Sequence, residues 1–267
     1  MKRALAWLAS VLLVVLLISC GPGGRETVNL DGSTAMSGVM AALREAYRGR
    51  TGEVQINCSG SGSGAGVEGA LSGTCDIGLS SRDLTAEEIA RGAVGHVLAL
   101  DGVAVVVHPD NPVRDLSRET LAALFTGDIP RWTQAGGEDR PVAVYGREAG
   151  SGTRTAFEAA LGITDRCAYR NECCSSGDVV GGVASNPNAI GYVSLSALSD
   201  LVDALAVDGV PCTLETVRAG TYPLRRPFLL VTRGDPAGAA GDFLRFALSA
   251  EAEPYLARAR AAAPEEA

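Results

Sequence analysis

Lysine is all but missing from this chain. Lys2 is the only one in 267 residues, so every later positive side chain is arginine. A P-loop needs a lysine on the phosphates of its nucleotide, and Schiff-base chemistry needs a lysine amine. Neither is available to the body of the chain. Histidine is nearly as scarce, with His96 and His108 alone. His96 follows Gly92-Ala93-Val94-Gly95 with no nucleophile motif beside it, and His108 closes an apolar run before Pro109. Both read as structural or exposed. No Gly-x-Ser-x-Gly elbow exists, because the centre of Gly60 to Gly64 is Gly62. No Asp/His cluster offers the metal of a phosphatase. No internal repeat is visible. Formal charge is −8, which lacks the basic footprint of a nucleic-acid partner. An anionic ligand would therefore have to be held by local donors, and no cofactor or metal is expected.

Long hydrophobic runs are also missing after the first residues. Met1-Lys2-Arg3 is basic, Ala4 to Ile18 is apolar apart from Ser10, and Leu17-Ile18-Ser19-Cys20 leads into Gly21-Pro22-Gly23-Gly24. That is the layout of a secretory signal, and the run is short for a span of roughly 20 residues. Leu-Ile-Ser-Cys resembles a bacterial lipobox. It implies a signal peptide over 1–19, lipid on Cys20, a linker over 20–24, and a body outside the cytoplasm, anchored to the cell membrane. Of seven cysteines, Cys58, Cys75, Cys167, Cys173, Cys174 and Cys212 remain. In an oxidising compartment they predict disulfides, with Cys167, Cys173, Cys174 and Cys212 foremost, though connectivity is not deducible. Their spacing matches no zinc pattern.

About 240 residues of body suit one large or two small domains. Strands are predicted at 28–30, 54–56, 76–79, 103–107, 142–145 and 228–232. Helices are predicted at 35–47, 67–71, 117–125, 151–161 and 237–249, and from the capping-box spacing of Thr85 and Glu88. This rhythm means a mixed, mainly parallel α/β fold.

Three strand-to-helix junctions share one composition: Gly32-Ser33-Thr34, Gly60 to Gly66, and Gly150-Ser151-Gly152-Thr153. A fourth, Ser80-Ser81-Arg82, lacks glycine. Helix N-termini present free N–H groups and positive dipole ends. Glycine lets an anion approach the backbone, and hydroxyls add donors. Ser and Thr also serve as ordinary N-caps, so one junction alone says little. Four together, with Arg147 able to fork onto an oxyanion or to pair with Glu148, point to one small anion held where parallel strands end.

The chain resembles the phosphate-binding proteins of bacterial ABC importers, the PstS family, across nearly its whole exported length. The resemblance is carried by Asp31 to Thr34, Ser61 to Val67, Asp76 to Arg82, Leu124 to Trp132, Arg147 to Arg154, Asn186 to Tyr192 and Tyr222 to Pro227. It implies a type II periplasmic-binding-protein fold of two lobes, at 25–104 plus 229–267 and at 105–228, joined by crossing strands at 103–107 and 228–232. It implies a monomer that captures inorganic phosphate and delivers it to ABC transporter permease subunits. Another oxyanion, sulfate or arsenate, and a phosphatase-like enzyme on the same fold are the alternatives. Ligand positions carry over onto Thr34, Ala35, Ser63, Ser81, Arg147, Ser151, Gly152 and Thr153, and the junctions add Ser33. Some members have an aspartate where this chain has Ser81, and an acid where it has Ala149. An acceptor for the proton of hydrogen phosphate is then sought in Asp31 or Glu148.

Overall fold

Two long antiparallel strands carry the chain between separate hydrophobic cores in a computed structural model that describes residues 26–51 and 54–264. The signal, the linker and the expected lipid site at Cys20 lie outside the described residues. Among the described residues no helix is long and apolar enough to cross a membrane.

The first part of the chain gives β1 (Glu26–Gly32), a 3₁₀ turn at Thr34–Met36, α1 (Ser37–Thr51), β2 (Val54–Ser59), α2 (Ser63–Ser72), β3 (Ile77–Ser80) and α3 (Ala86–Ala90). Next come β4 (Ala93–Val107), β5 (Asp115–Leu116), α4 (Arg118–Thr126), β6 (Ala143–Arg147), α5 (Gly152–Leu161), β7 (Asn171–Cys173), α6 (Ser176–Ala184) and β8 (Ala189–Ser194). The chain ends with β9 (Asp203–Ala204), β10 (Ala206–Val207), α7 (Leu214–Arg218), β11 (Arg225–Arg233), α8 (Gly238–Ala247) and α9 (Glu253–Arg258). The capping box of α3 forms in full, Thr85 accepting from the Glu88 amide and Glu88 from the Thr85 amide.

The sheet path is β2-β1-β3-β11-β4-β8-β6-β7, with β9 also on β4. Its two halves repeat one plan. β1 pairs parallel with β2 and β3, and β11 runs antiparallel between β3 and the first half of β4. Correspondingly, β6 pairs parallel with β7 and β8, and the second half of β4 runs antiparallel between β8 and β9. The architecture is thus repeated although the sequence shows no repeat.

One core gathers Val103 to Val107, Phe125, Trp132, Phe157, Ile190 and Tyr192. Two clusters on the other side gather Val28, Met36, Leu43, Leu98, Phe228 and Phe243, and Val67, Leu71 and Val231. Along β4 the change of core falls between Ala99 and Val103, and near β11 between Leu224 and Phe228. The sequence placed the crossing strands at 103–107 and 228–232. The structure starts β4 ten residues earlier, because Ala93–Leu98 is stitched to β11 by backbone pairing that Gly95 and the exposed Val94 and Val97 do not advertise.

All six described cysteines are unpaired. Cys75 and Cys212 fill apolar positions in different cores, where a thiol packs as a small hydrophobe. Burial pushes the Cys212 thiol up to about 12 and the Cys167 thiol, which is hydrogen-bonded with Tyr169, up to about 11. Among the described residues no group of three or more His, Cys, Asp or Glu is placed to hold a metal ion.

Candidate functional site

The four strand-to-helix junctions converge across the cleft between the lobes. Ser33 Oγ donates to Ser81 Oγ at 2.8 Å, and Ser63 Oγ lies 3.3 Å from the same atom. The Ser81 amide donates to Ser63 Oγ at 3.1 Å. All three serines are buried. From the opposite lobe the Gly150 carbonyl accepts from the Gly64 amide at 3.1 Å. Gly152 comes so close that a methyl group on it would overlap Ser63 Oγ and stand 2.7 Å from Ser81 Oγ. A side chain at Gly152 is therefore incompatible with this approach. At Gly32, φ is +140° and an added Cβ would collide with the Leu79 backbone, so glycine is required there too.

The caps separate structural hydroxyls from available ones. Ser151 is an ordinary N-cap of α5, accepting from the Arg154 amide. Ser33 precedes its 3₁₀ turn without capping it, and α2 starts at Ser63 with no side-chain cap at Gly62. Their hydroxyls point to each other through Ser81 instead. Among the described residues two buried side-chain polar atoms lack any hydrogen-bond partner, Thr34 Oγ1 and Thr153 Oγ1. Such atoms are rare in native proteins, and each needs a reason. Both belong to junctions picked out from sequence, one on each lobe. Ala35, the next position, is buried and offers its carbonyl to Ser196 Oγ at 2.9 Å.

Arg147 ends β6 with its side chain 2% exposed. Nη2 and Nε fork onto Glu148 at 2.8 and 2.9 Å and also reach the carbonyls of Cys174 and Cys173, both at 3.2 Å. Nη1 lies 3.4 Å from Ser176 Oγ. A guanidinium has five N–H donors, so one Nη1 hydrogen is left over. In this structure the two-donor fork falls on Glu148. The backbone amide of Arg147 donates to Tyr192 Oη, which is hydrogen-bonded with Tyr169 Oη, and Tyr169 donates to the buried Glu158. Burial raises both tyrosine pKa values, so this chain stays protonated.

The two carboxylates considered as proton acceptors are both engaged. Asp31 takes the amide and hydroxyl of Ser61 at 3.2 and 2.7 Å, and Glu148 holds Arg147. Arg82, in the fourth junction, is turned away onto Glu88. An open groove of about 690 Å³ between Ala41–Arg48 and Val54–Asn57 shares no residue with the junctions.

The family model for the PBP superfamily domain matches residues 20–251. The phosphate-binding protein PstS of Bacillus subtilis (strain 168) is 33% identical over 243 residues, 86% of this chain and 78% of the relative. The chain belongs to the PBP superfamily, in its PstS family. Another PstS, from Borreliella burgdorferi, is 26% identical over 87% of this chain and 88% of its own. A crystal structure described as a phosphate ABC transporter substrate-binding protein with bound phosphate, from Clostridium perfringens, superposes with a TM-score of 0.87. It is 36% identical and covers 90% of this chain and 100% of its own. An ABC-type phosphate transport receptor from Vibrio cholerae gives a TM-score of 0.74 at 32% identity, with 89% and 100% covered.

Within this PstS-family fold, sequence reasoning missed the buried pair Asp101 and Arg226, and with them Ser194 and Ser196. Arg226 forks onto Asp101 and reaches the Ser81 carbonyl at 3.2 Å. A signal was present: Asp101 is an acid set inside an otherwise apolar strand, Leu98 to Val107.

Proposed function

We propose that this protein binds inorganic phosphate between its lobes, outside the cytoplasm, and delivers it to the permease of an ABC importer. The observation that carries the reading is the pair of orphaned buried hydroxyls, Thr34 and Thr153, at junctions on opposite sides of the cleft. A buried hydroxyl without a partner costs about 1–3 kcal/mol, and an oxyanion between the lobes removes that cost at both. The Ser63 and Ser81 hydroxyls add donor capacity, the start of α5 at Gly152–Thr153 adds amides and a dipole end, and Arg147 adds charge. Relatives named as phosphate-binding proteins, and a similar structure solved with phosphate, agree with this ligand.

The lobes in this reading are 25–104 plus 229–267 and 105–228, with Cys20 as lipid anchor and a monomer as the working unit. Binding closes the lobes on the anion, so the contact of Gly152 with Ser63 belongs to the closed state. A second oxyanion, such as sulfate or arsenate, is the other reading, because Ser81 stands where a carboxylate would reject an unprotonated anion. Isothermal titration of protein stripped of ligand decides between them. Phosphate saturation at one site per chain is expected, and no heat with phosphate beside clear heat with sulfate would refute the phosphate reading. Mass spectrometry of protein from its native envelope is expected to find lipidated Cys20 as the first residue.

A further inference from the structure

Asp101 and Arg226 face each other in the antiparallel register of β4 and β11, where the chain crosses between lobes. They are 0% and 3% exposed. Arg226 Nε and Nη2 both donate to Asp101 Oδ2, at 3.0 and 2.9 Å, and Nη1 donates to the Ser81 carbonyl. Asp101 Oδ1 accepts from Ser194 Oγ at 2.8 Å, and Leu195 adds a backbone donor. Ser194 Oγ contacts Ser196 Oγ at 2.7 Å, and Ser196 reaches the Ala35 carbonyl. The pair is therefore wired to the backbone of two loops of the proposed phosphate site, at Ser81 and at Ala35. Arg147 is near enough for its charge to bear on Arg226.

A buried ion pair is poor at stabilising a fold, because desolvation offsets most of its attraction. Its placement here has another consequence. Arg226 sets a second buried cation one peptide away from the Ser81 hydroxyl, and Asp101 cancels that charge on its far side. Removing Asp101 leaves a cation that an entering dianion compensates. Removing Arg226 takes away the cation that draws the anion.

We propose that Asp101 and Arg226 are positioning and affinity-setting residues of the anion site, Arg226 drawing the anion and Asp101 attenuating that pull. This rests on the phosphate-binding reading above. The two partners must then act with opposite sign, which a structural ion pair does not do.

The test is isothermal titration with inorganic phosphate on the wild type, Asp101→Asn, Arg226→Gln and the double variant, with melting curves with and without phosphate. At an effective dielectric near that of protein sites, Asp101→Asn is expected to tighten binding roughly tenfold and Arg226→Gln to weaken it roughly tenfold or more. The double variant should fall between them. Asp101→Asn should melt lower than wild type when unliganded and gain more from phosphate. Weakening in both single variants, or an Asp101→Asn protein that stays unfolded in saturating phosphate, overturns the proposal. A wild type that binds no phosphate sinks the functional reading instead, and that outcome is seen before any variant is compared.

Discussion

A single methyl group at position 152 tests whether the contact between lobes belongs to the liganded state. Gly152→Ala would place Cβ on top of Ser63 Oγ and 2.9 Å from Ser63 Cβ. Ser63 has little room to yield, because its hydroxyl accepts from the Ser81 amide and touches Ser81 Oγ, which is held by Ser33. Either the serine rotates and gives up those bonds, or the lobes stay apart by about the width of the overlap. Overpacking costs about 1–3 kcal/mol and a lost hydrogen bond about 1 kcal/mol. Together these amount to about 2–4 kcal/mol, on the order of 30- to 1000-fold in Kd. Position 152 opens α5, where alanine is no worse than glycine for the helix, so the unliganded protein should melt as the wild type does. The assay is titration with phosphate beside melting of the unliganded protein. Wild-type affinity refutes the closure geometry. An equal loss of stability without ligand refutes the assignment of the contact to the closed state.

Other perturbations have distinct signatures. Arg147→Ala should weaken phosphate binding by roughly 2–5 kcal/mol in titration, since it leaves the Glu148 carboxylate uncompensated beside the cleft, and Arg147→Lys should restore only part because the fork onto Glu148 is lost. Thr153→Val should leave unliganded stability unchanged or raised, because it removes an orphaned buried hydroxyl, while weakening phosphate binding by about 1–3 kcal/mol; Thr34→Val should do the same. Hydrogen bonding from Arg82 holds the Glu88 carboxyl below its ordinary value. Its stabilising effect is therefore full above the unfolded carboxylate range and is lost as pH falls through the lower folded value, and a Glu88→Gln protein should show a flatter melting profile in that acid window.

The strand and helix positions were legible because apolar spacing and capping residues are local. Thr85 and Glu88 form the capping box that their spacing announced, and α5 opens at the Gly150–Thr153 junction as expected, while α2 begins at Ser63, inside the glycine-serine stretch expected to precede a helix at 67–71. The first half of β4 was not legible. Gly95, His96 and the exposed Val94 and Val97 give it no clean alternation, and only pairing with β11 makes it a strand. In the candidate site, the clustering of Ser33, Ser63, Ser81 and Gly152 was anticipated from composition. Arg147 pairs with its sequence neighbour Glu148, one of two partners the sequence offered, but its burial was not legible from the local pattern. Asp101 and Arg226 lie 125 residues apart. Their partnership depends on two strands meeting, which no local pattern encodes. Cysteine pairing is equally non-local: Cys212 is buried in the core against which Cys167 and Cys173 pack, while Cys75 lies in another.

The proton inventory around Ser81 bears on which anion is preferred. Hydrogen phosphate carries a proton that sulfate at neutral pH lacks, so rejection of sulfate needs a site atom that accepts and does not donate. Ser81 Oγ already accepts from Ser33, and Ser63 Oγ already accepts from the Ser81 amide. The hydrogen of the Ser81 hydroxyl is then left for Ser63 or for the ligand, which makes Ser81 a donor toward an anion. Asp31 and Glu148 are each tied to other partners. A site built this way should separate the two anions less sharply than one with a free carboxylate. Ser81→Asp supplies such a carboxylate among hydroxyls already within hydrogen-bond reach of position 81. In competition titrations near neutral pH it should weaken sulfate far more than phosphate, raising the preference for phosphate by roughly tenfold or more, the scale of one charged contact left unpaired. Equal weakening of both anions would show that position 81 does not face the ligand.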